Sequence, residues 1–192
     1  VSAGPPSAIG KSLQETGRPT VITDQVHVLL TSSTPWALVN RAVTDLRREP
    51  DNGAERISQV LLGEAARILE TQEGWAHVRL LHDGYLGWVH TAALHRCDAA
   101  TVEAYHAACG AIVQTAGTTV YASDDAVGGQ RMLGRLPFGV SVPLHDKPDA
   151  LASADASAQA SGFPAAGWIR VRLPDGRLGW VKGTDLLPLR SR

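Results

Sequence analysis

The sequence predicts an all-β protein: two small β-barrels in tandem, joined by a short helix and preceded by an extended N-terminal arm. Three observations carry this prediction. A tryptophan-flanked hairpin pattern, Trp75–Val89, returns as Trp168–Val181. The runs leading up to each copy are short, strand-like and separated by turn residues, as in small barrels and sandwiches. One stretch between the copies, Cys97–Gly110, has helix chemistry instead.

Residues 1–37 form the predicted arm and its strand. The first part is rich in Gly, Pro and Ser, with one short helical turn near Ser7–Gln14, and Val21–Leu30 alternates like a strand. The first barrel is placed at 38–96. Leu38–Leu46 is read as one strand-like run, leading into the polar loop Arg47–Gly53, whose Pro50 and Asn52-Gly53 oppose regular structure. Ile57–Leu62 ends at Gly63, Ala65–Glu70 is a further strand, and Thr71–Gly74 turns into the hairpin.

Within the hairpin, alternation puts Ala76, Val78 and Leu80 on one face and Trp75, His77 and Arg79 on the other. A slip of one residue would place the apolar set in water, so the register is specified. Asp83-Gly84 supplies the positive φ of a tight turn, and Gly87 lies where a strand bends or a neighbour comes close.

The connecting helix is placed at 97–110, with Asp98 as N-cap and Gly110 as its stop. The second barrel is placed at 111–192. Thr118–Tyr121 parallels Thr44–Arg47, Gly139 parallels Gly63, and Ile169, Val171 and Leu173 take the inner hairpin face. The interval from Gly139 to Trp168 exceeds that from Gly63 to Trp75, and the excess falls in the Ala- and Ser-rich stretch 149–162, read as a flexible insertion.

A formal net charge of −1 gives no basic face for nucleic acid and no attraction to anionic membrane surfaces. No run approaches the roughly 18 apolar residues of a membrane span. The chain starts at Val1 rather than Met, so a processed or trimmed form is expected, with no signal peptide to fix its compartment. No cofactor motif is read. His90, His95, Cys97, His106 and Cys109 are zinc-ligand types, yet lack the paired short intervals of zinc frames, so no metal is expected. Cys97 and Cys109 are read as free thiols, with a disulfide spanning the helix as the alternative for an exported protein, although a straight helix would hold their ends about 15 Å apart.

The string Val43-Thr44-Asp45-Leu46-Arg47, Ser58 to Glu64, Gly74-Trp75 and Asp83-Gly84-Tyr85-Leu86-Gly87-Trp88-Val89 resembles the bacterial SH3-like domains. It looks most like those preceding the catalytic domain of NlpC-type cysteine peptidases, which cut peptidoglycan stem peptides. The first copy resembles them over nearly its whole length, the second at its hairpin. In such enzymes the resemblance implies a γ-D-glutamyl-L-diamino-acid endopeptidase acting on muropeptides with a free N-terminal L-alanine. Their leading SH3-like domain helps to hold that amine through the Tyr of a Gly-Tyr-x-Gly-Trp motif and an acid from the first long loop. Carried onto this chain, these are Tyr85 and either Glu49 or Asp51; Arg177 stands in place of the tyrosine in the second copy.

On the residues alone, Tyr85 reads equally as an amphipathic barrel residue with a wet hydroxyl, and Glu49, Asp51 and Glu55 as a solvated mixed-charge loop beside Arg47, Arg48 and Arg56. Trp75 and Trp88 read as packing rather than as a sugar-stacking platform. The Asp-Cys-Ser-Gly context of the peptidase nucleophile does not occur here, so no catalytic residue is assigned. The expectation is a non-catalytic module that recognises peptidoglycan stem peptides and works with a C-terminal or separate peptidase domain. Its expected place is the periplasm or cell envelope, or the cytoplasm if it serves muropeptide recycling. The alternatives are a module binding extended or proline-rich peptides in an SH3-like groove, and catalysis by Cys97 or Cys109, which would need an accessible low-pKa thiolate.

Overall fold

The computed structural model describes residues 35–124, 131–145, 163 and 167–189. The predicted arm strand Val21–Leu30, the turn near Ser7–Gln14 and the insertion 149–162 lie outside the described residues. The rest is mostly antiparallel β-structure with one α-helix.

The first unit contains β1 (Trp36–Val39), β2 (Val43–Arg47), β3 (Arg56–Leu61), β4 (Ala65–Gln72), β5 (Trp75–Leu80), β6 (Leu86–His90) and β7 (Leu94–Cys97). They form one antiparallel sheet in the order β3-β2-β6-β5-β4-β1-β7. The run Leu38–Leu46 is therefore two strands and not one. Asn40-Arg41-Ala42 breaks it, and the break is held by long-range bonds: Asn40 N donates to Ala93 O (2.9 Å) and Leu62 N to Ala42 O (3.1 Å).

Helix α1 (Ala99–Ala107) follows, with the Asp98 side chain accepting from Thr101 N (2.7 Å) as the sequence predicts. Gly110 is not its stop. Ala108 ends the helix in a right-handed conformation, and Gly110 already belongs to the next strand. Glycine is needed there for space, since a Cβ would sit 2.7 Å from Leu144 Cδ1.

The second unit contains β8 (Cys109–Val113), β9 (Gly117–Tyr121), β10 (Met132–Pro137), β11 (Ser141–Pro143), β12 (Trp168–Arg172), β13 (Leu178–Lys182) and β14 (Leu186–Pro188). Among the described residues, sheets β10-β9-β13-β12 and β11-β8-β14 are joined by the bridge Leu144–Val171. Placed end to end they give the strand order of the first unit, element for element. Equivalent hydrogen bonds recur: Gly63 N to Val39 O corresponds to Gly139 N to Val113 O, both 2.9 Å. The ladder is thin at β11 because that strand is short, ends in a bulge, and includes Pro143, which has no N–H to donate. Among the described residues none of the three sheets closes on itself through its outermost strands.

The hairpins match their predicted faces. Ala76, Val78 and Leu80 are buried, as are Ile169, Val171 and Leu173, and Gly84 and Gly176 carry φ of +74° and +82°. Gly87 is a point of close approach: a Cβ there would lie 2.7 Å from Leu46 Cγ and 2.9 Å from the Arg47 carbonyl. Gly179 stands in the same relation to Val120 and Tyr121. In each unit this glycine lets β2 or β9 cross the exit strand of the hairpin.

Each unit has its own apolar core, with Leu46, Val60, Val78 and Val89 in the first and Val120, Leu136, Val171 and Val181 in the second. A third cluster under α1 holds Leu38, Ala65, Cys97, Val102 and Tyr105. β1 thus buries both faces, Ala37 and Val39 inward and Leu38 against the helix. Leu62 crosses over: it belongs to the β3–β4 turn of the first unit yet packs in the core of the second.

Candidate functional site

The long loop between β2 and β3 is ordered by its own charges. Arg47 bonds the Ala54 carbonyl and Asp45, both at 2.7 Å, and Arg48 pairs with Glu55 at 2.8 Å on the surface. Asp51 Oδ1 accepts from Gly53 N (2.6 Å), so this carboxylate caps its own loop. That leaves Glu49, exposed and with no described partner for its carboxylate. Sequence reading offered Glu49 or Asp51; Asp51 has one oxygen engaged in this bond, while the Glu49 carboxylate has no described partner.

Asn52 reaches across to His90, with Nε2 and Oδ1 2.9 Å apart, and His90 stacks on Trp75 at 3.7 Å between ring centroids. This stack explains why Trp75 is only 6% exposed although it stands on the outer hairpin face. The register places the two residues opposite each other, and it also places His77 opposite Trp88, whose rings stack at 5.0 Å. A small cavity of about 390 Å³ results, lined by Asp45, Arg47, Asn52, Gln59, Trp75 and His90 among others. Of these, the sequence singled out Trp75 as packing and His90 as a zinc-ligand type, and the hairpin register was the signal that could have set the two against each other.

Tyr85 lies on the β5–β6 turn. Its N–H donates to Asp83 Oδ1 (2.9 Å), its carbonyl accepts from Leu80 N (2.9 Å), and half of its surface is exposed. The backbone is thus fixed while the ring is presented to solvent. Among the described residues no hydrogen bond, ion pair or shared cavity joins Tyr85 to Glu49 or Asp51. In the second unit Arg177 folds back onto Asp175 (2.7 Å), which holds that carboxyl below the usual carboxylate range against the opposing effect of burial.

The cysteines are free. Burial pushes the Cys97 thiol up, with Asp98 adding to the effect, and pushes Cys109 up to about 11. Neither thiol suits nucleophilic chemistry at neutral pH. His106 Nε2 donates to the Gly63 carbonyl (3.0 Å), so it serves as a fastening of α1. Among the described residues no group of three or more His, Cys, Asp or Glu could hold a metal ion, and no helix is long and apolar enough to cross a membrane.

Strand order, the Asp-Gly hairpin and the glycine crossing make the first unit an SH3-like domain. Residues 46–94 match the family described as the bacterial dipeptidyl-peptidase Sh3 domain. No curated protein matches the chain. Among solved structures, an NlpC/P60 family protein from Bacillus cereus is similar at a TM-score of 0.58 and 15% identity, covering 81% of this chain and 57% of that one. An NlpC/P60 endopeptidase from Photobacterium damselae subsp. piscicida is similar at a TM-score of 0.47 and 13% identity, covering 81% of this chain and 33% of that one. The chain therefore spans little more than half the length of the Bacillus cereus protein. The likeness is one of fold.

Proposed function

We propose that this chain is a non-catalytic recognition module for peptidoglycan stem peptides, acting in the cell envelope beside an NlpC-type cysteine endopeptidase domain, and built as two SH3-like barrels in tandem. The observation that carries the reading is Tyr85: an exposed phenol on a turn fixed by Asp83 and Gly84, in the unit whose long loop leaves Glu49 as its uncommitted carboxylate. Each is an acceptor of the kind a peptide's free amine needs, Glu49 an anionic one and Tyr85 a neutral oxygen. A charge-assisted bond from an ammonium to a carboxylate is about twice as strong as a neutral one. The second unit, with Arg177 turned onto Asp175, serves as support.

The test is an NMR titration of the full chain with the tripeptide L-Ala-γ-D-Glu-diamino acid, with its amine free and with it acetylated. Saturable shifts in 48–53 and 83–87 are expected with the free amine only. Tyr85→Phe and Glu49→Gln should each weaken binding by about tenfold. No saturable shift with the free tripeptide would sink the proposal.

A further inference from the structure

Sheet β10-β9-β13-β12 of the second unit turns Val120, Leu136, Val171 and Val181 into the core, so the residues between them make an outer face. On that face the register sets Trp168 opposite Lys182, Arg170 opposite Trp180, and Trp180 opposite Tyr121. The proposed stem-peptide function makes no use of it.

Two differences from the equivalent face of the first unit point to a ligand. The first is charge. The four strands carry Arg135, Arg170, Arg172 and Lys182, and no Asp or Glu. Among the described residues none of these cations has an ion pair, whereas in the first unit Asp45 pairs with Arg47 (2.7 Å) and Glu70 with His77 (3.3 Å). A chain of net charge −1 thus gathers uncompensated positive charge on one sheet. The second difference is the exposure of the rings. In the first unit His90 stacks on Trp75 and leaves it 6% exposed. Lys182 stands in the place of His90 in the second, and Trp168, Trp180 and Tyr121 are each half-buried.

Arg170 lies over the Trp180 ring, 5.7 Å from its centroid, a cation–π contact that orients the guanidinium. Its Nε is closed off, while the two terminal nitrogens keep accessible surface and have no partner. Trp168 and Tyr121 meet at 5.6 Å and 89°, so they form a corner. With Trp180 under Arg170, the rings make no parallel stack of the kind that successive nucleic-acid bases use. A sugar ring suits such a corner, because its C–H groups pack against the negative face of an aromatic ring. A carboxylate on that sugar then meets cations that have no other partner, in a charge-assisted bond. We propose that this face binds an acidic polysaccharide, with sugar rings against Trp168 and Tyr121 and carboxylates at Arg170 and Lys182.

The experiment is an NMR titration of the full chain with tetragalacturonate. Its methyl ester keeps the rings and loses the charge, and tetra-L-aspartate keeps the charge without the rings. Saturable shifts are expected at Tyr121, Trp168, Arg170 and the indole N–H of Trp180, with the ester and the peptide at least about tenfold weaker. Arg170→Gln should weaken tetragalacturonate by about tenfold and Lys182→Gln by about threefold. Arg79→Gln, at the position in the first unit that corresponds to Arg172, should leave its affinity unchanged. Absence of saturation at millimolar tetragalacturonate, equal binding of the ester or of the peptide, tighter binding of oligothymidylate, or full affinity in Arg170→Gln would each overturn the proposal. The stem-peptide site is reported by other amides, those of 48–53 and 83–87, so failure at one site is distinguishable from failure at the other.

Discussion

Leu62→Ala should destabilise the unit to which Leu62 does not belong in sequence. The side chain is 7% exposed and sits in the core of the second unit, although the backbone is the β3–β4 turn of the first. Truncation removes three carbons, worth roughly 2.4 kcal/mol of lost burial at about 0.8 kcal/mol each. A term for the residual void adds to this, and fully enclosed Leu→Ala changes run from about 2.7 to 5 kcal/mol. Leu62 borders a cavity of about 660 Å³, into which its neighbours can relax, so the lower part of that range applies. The expected loss is about 3 kcal/mol, a large share of a typical domain's stability. Urea unfolding followed by tryptophan fluorescence gives the magnitude, and native-state hydrogen exchange gives the location. Protection should fall in β9, β12 and β13 at least as far as in β2 and β5. Val60→Ala, two residues earlier and fully buried in the first core, should show the opposite weighting. A loss below about 1 kcal/mol, or one confined to the first unit, would refute the idea that Leu62 couples the two cores.

Glu64 should make stability fall as pH rises. Its folded pKa is raised by desolvation, so between the ordinary glutamate value and the folded value the native state holds a proton that the unfolded chain has lost. The cost is absent in acid and complete above the folded pKa. Glu64→Gln should therefore be at least as stable as the parent at neutral pH, with the gap closing in acid; a parent that is more stable at neutral pH would contradict this. Cys109, pushed up to about 11, should be alkylated by iodoacetamide slowly. At pH ~7.5 its thiolate fraction is about 300-fold below that of a free thiol with pKa near 8.5. Mass-spectrometric labelling at the rate of free cysteine would show that the thiol is accessible and ionised after all.

The hairpins were the most legible part of the chain because their information is local. A period of two, an Asp-Gly turn and one glycine after it are all read within fifteen residues, and each maps to a single physical requirement. The break after Val39 was not legible, since Asn40-Arg41-Ala42 carries no Gly or Pro; distant partners at Leu62 and Ala93 hold it. Gly110 misled for the converse reason. A glycine ten residues after an N-cap looks like a helix stop, but here it makes room for Leu144, which alternation cannot reveal. At the loop, residue types nominated Glu49 and Asp51 alike, and the 2.6 Å bond from Gly53 N to Asp51 is a local difference that residue type does not reveal.

The duplicated hairpin explains the fold, and the difference between the two copies explains the sites. Gly63 and Gly139 occupy equivalent turns with φ of +83° and +79°. Over Gly63 lies Tyr105, and His106 holds its carbonyl, whereas among the described residues nothing stands within 4 Å of where a Cβ of Gly139 would be. One helix can close against only one of two equivalent turns when it connects them, so the repeat must be broken at the joint. The first turn is consequently clamped from above by α1 and sends Leu62 into the neighbouring core. The exposed Tyr85 against the tethered Arg177 is the same asymmetry at the hairpin tip. A substitution that restored symmetry, Arg177→Tyr, would create a second exposed phenol in a unit where Ser123 stands two residues past β9, the place that Glu49 holds two residues past β2. By this reasoning it should add no stem-peptide affinity, which separates a role for Tyr85 with Glu49 from a role for an exposed tyrosine alone.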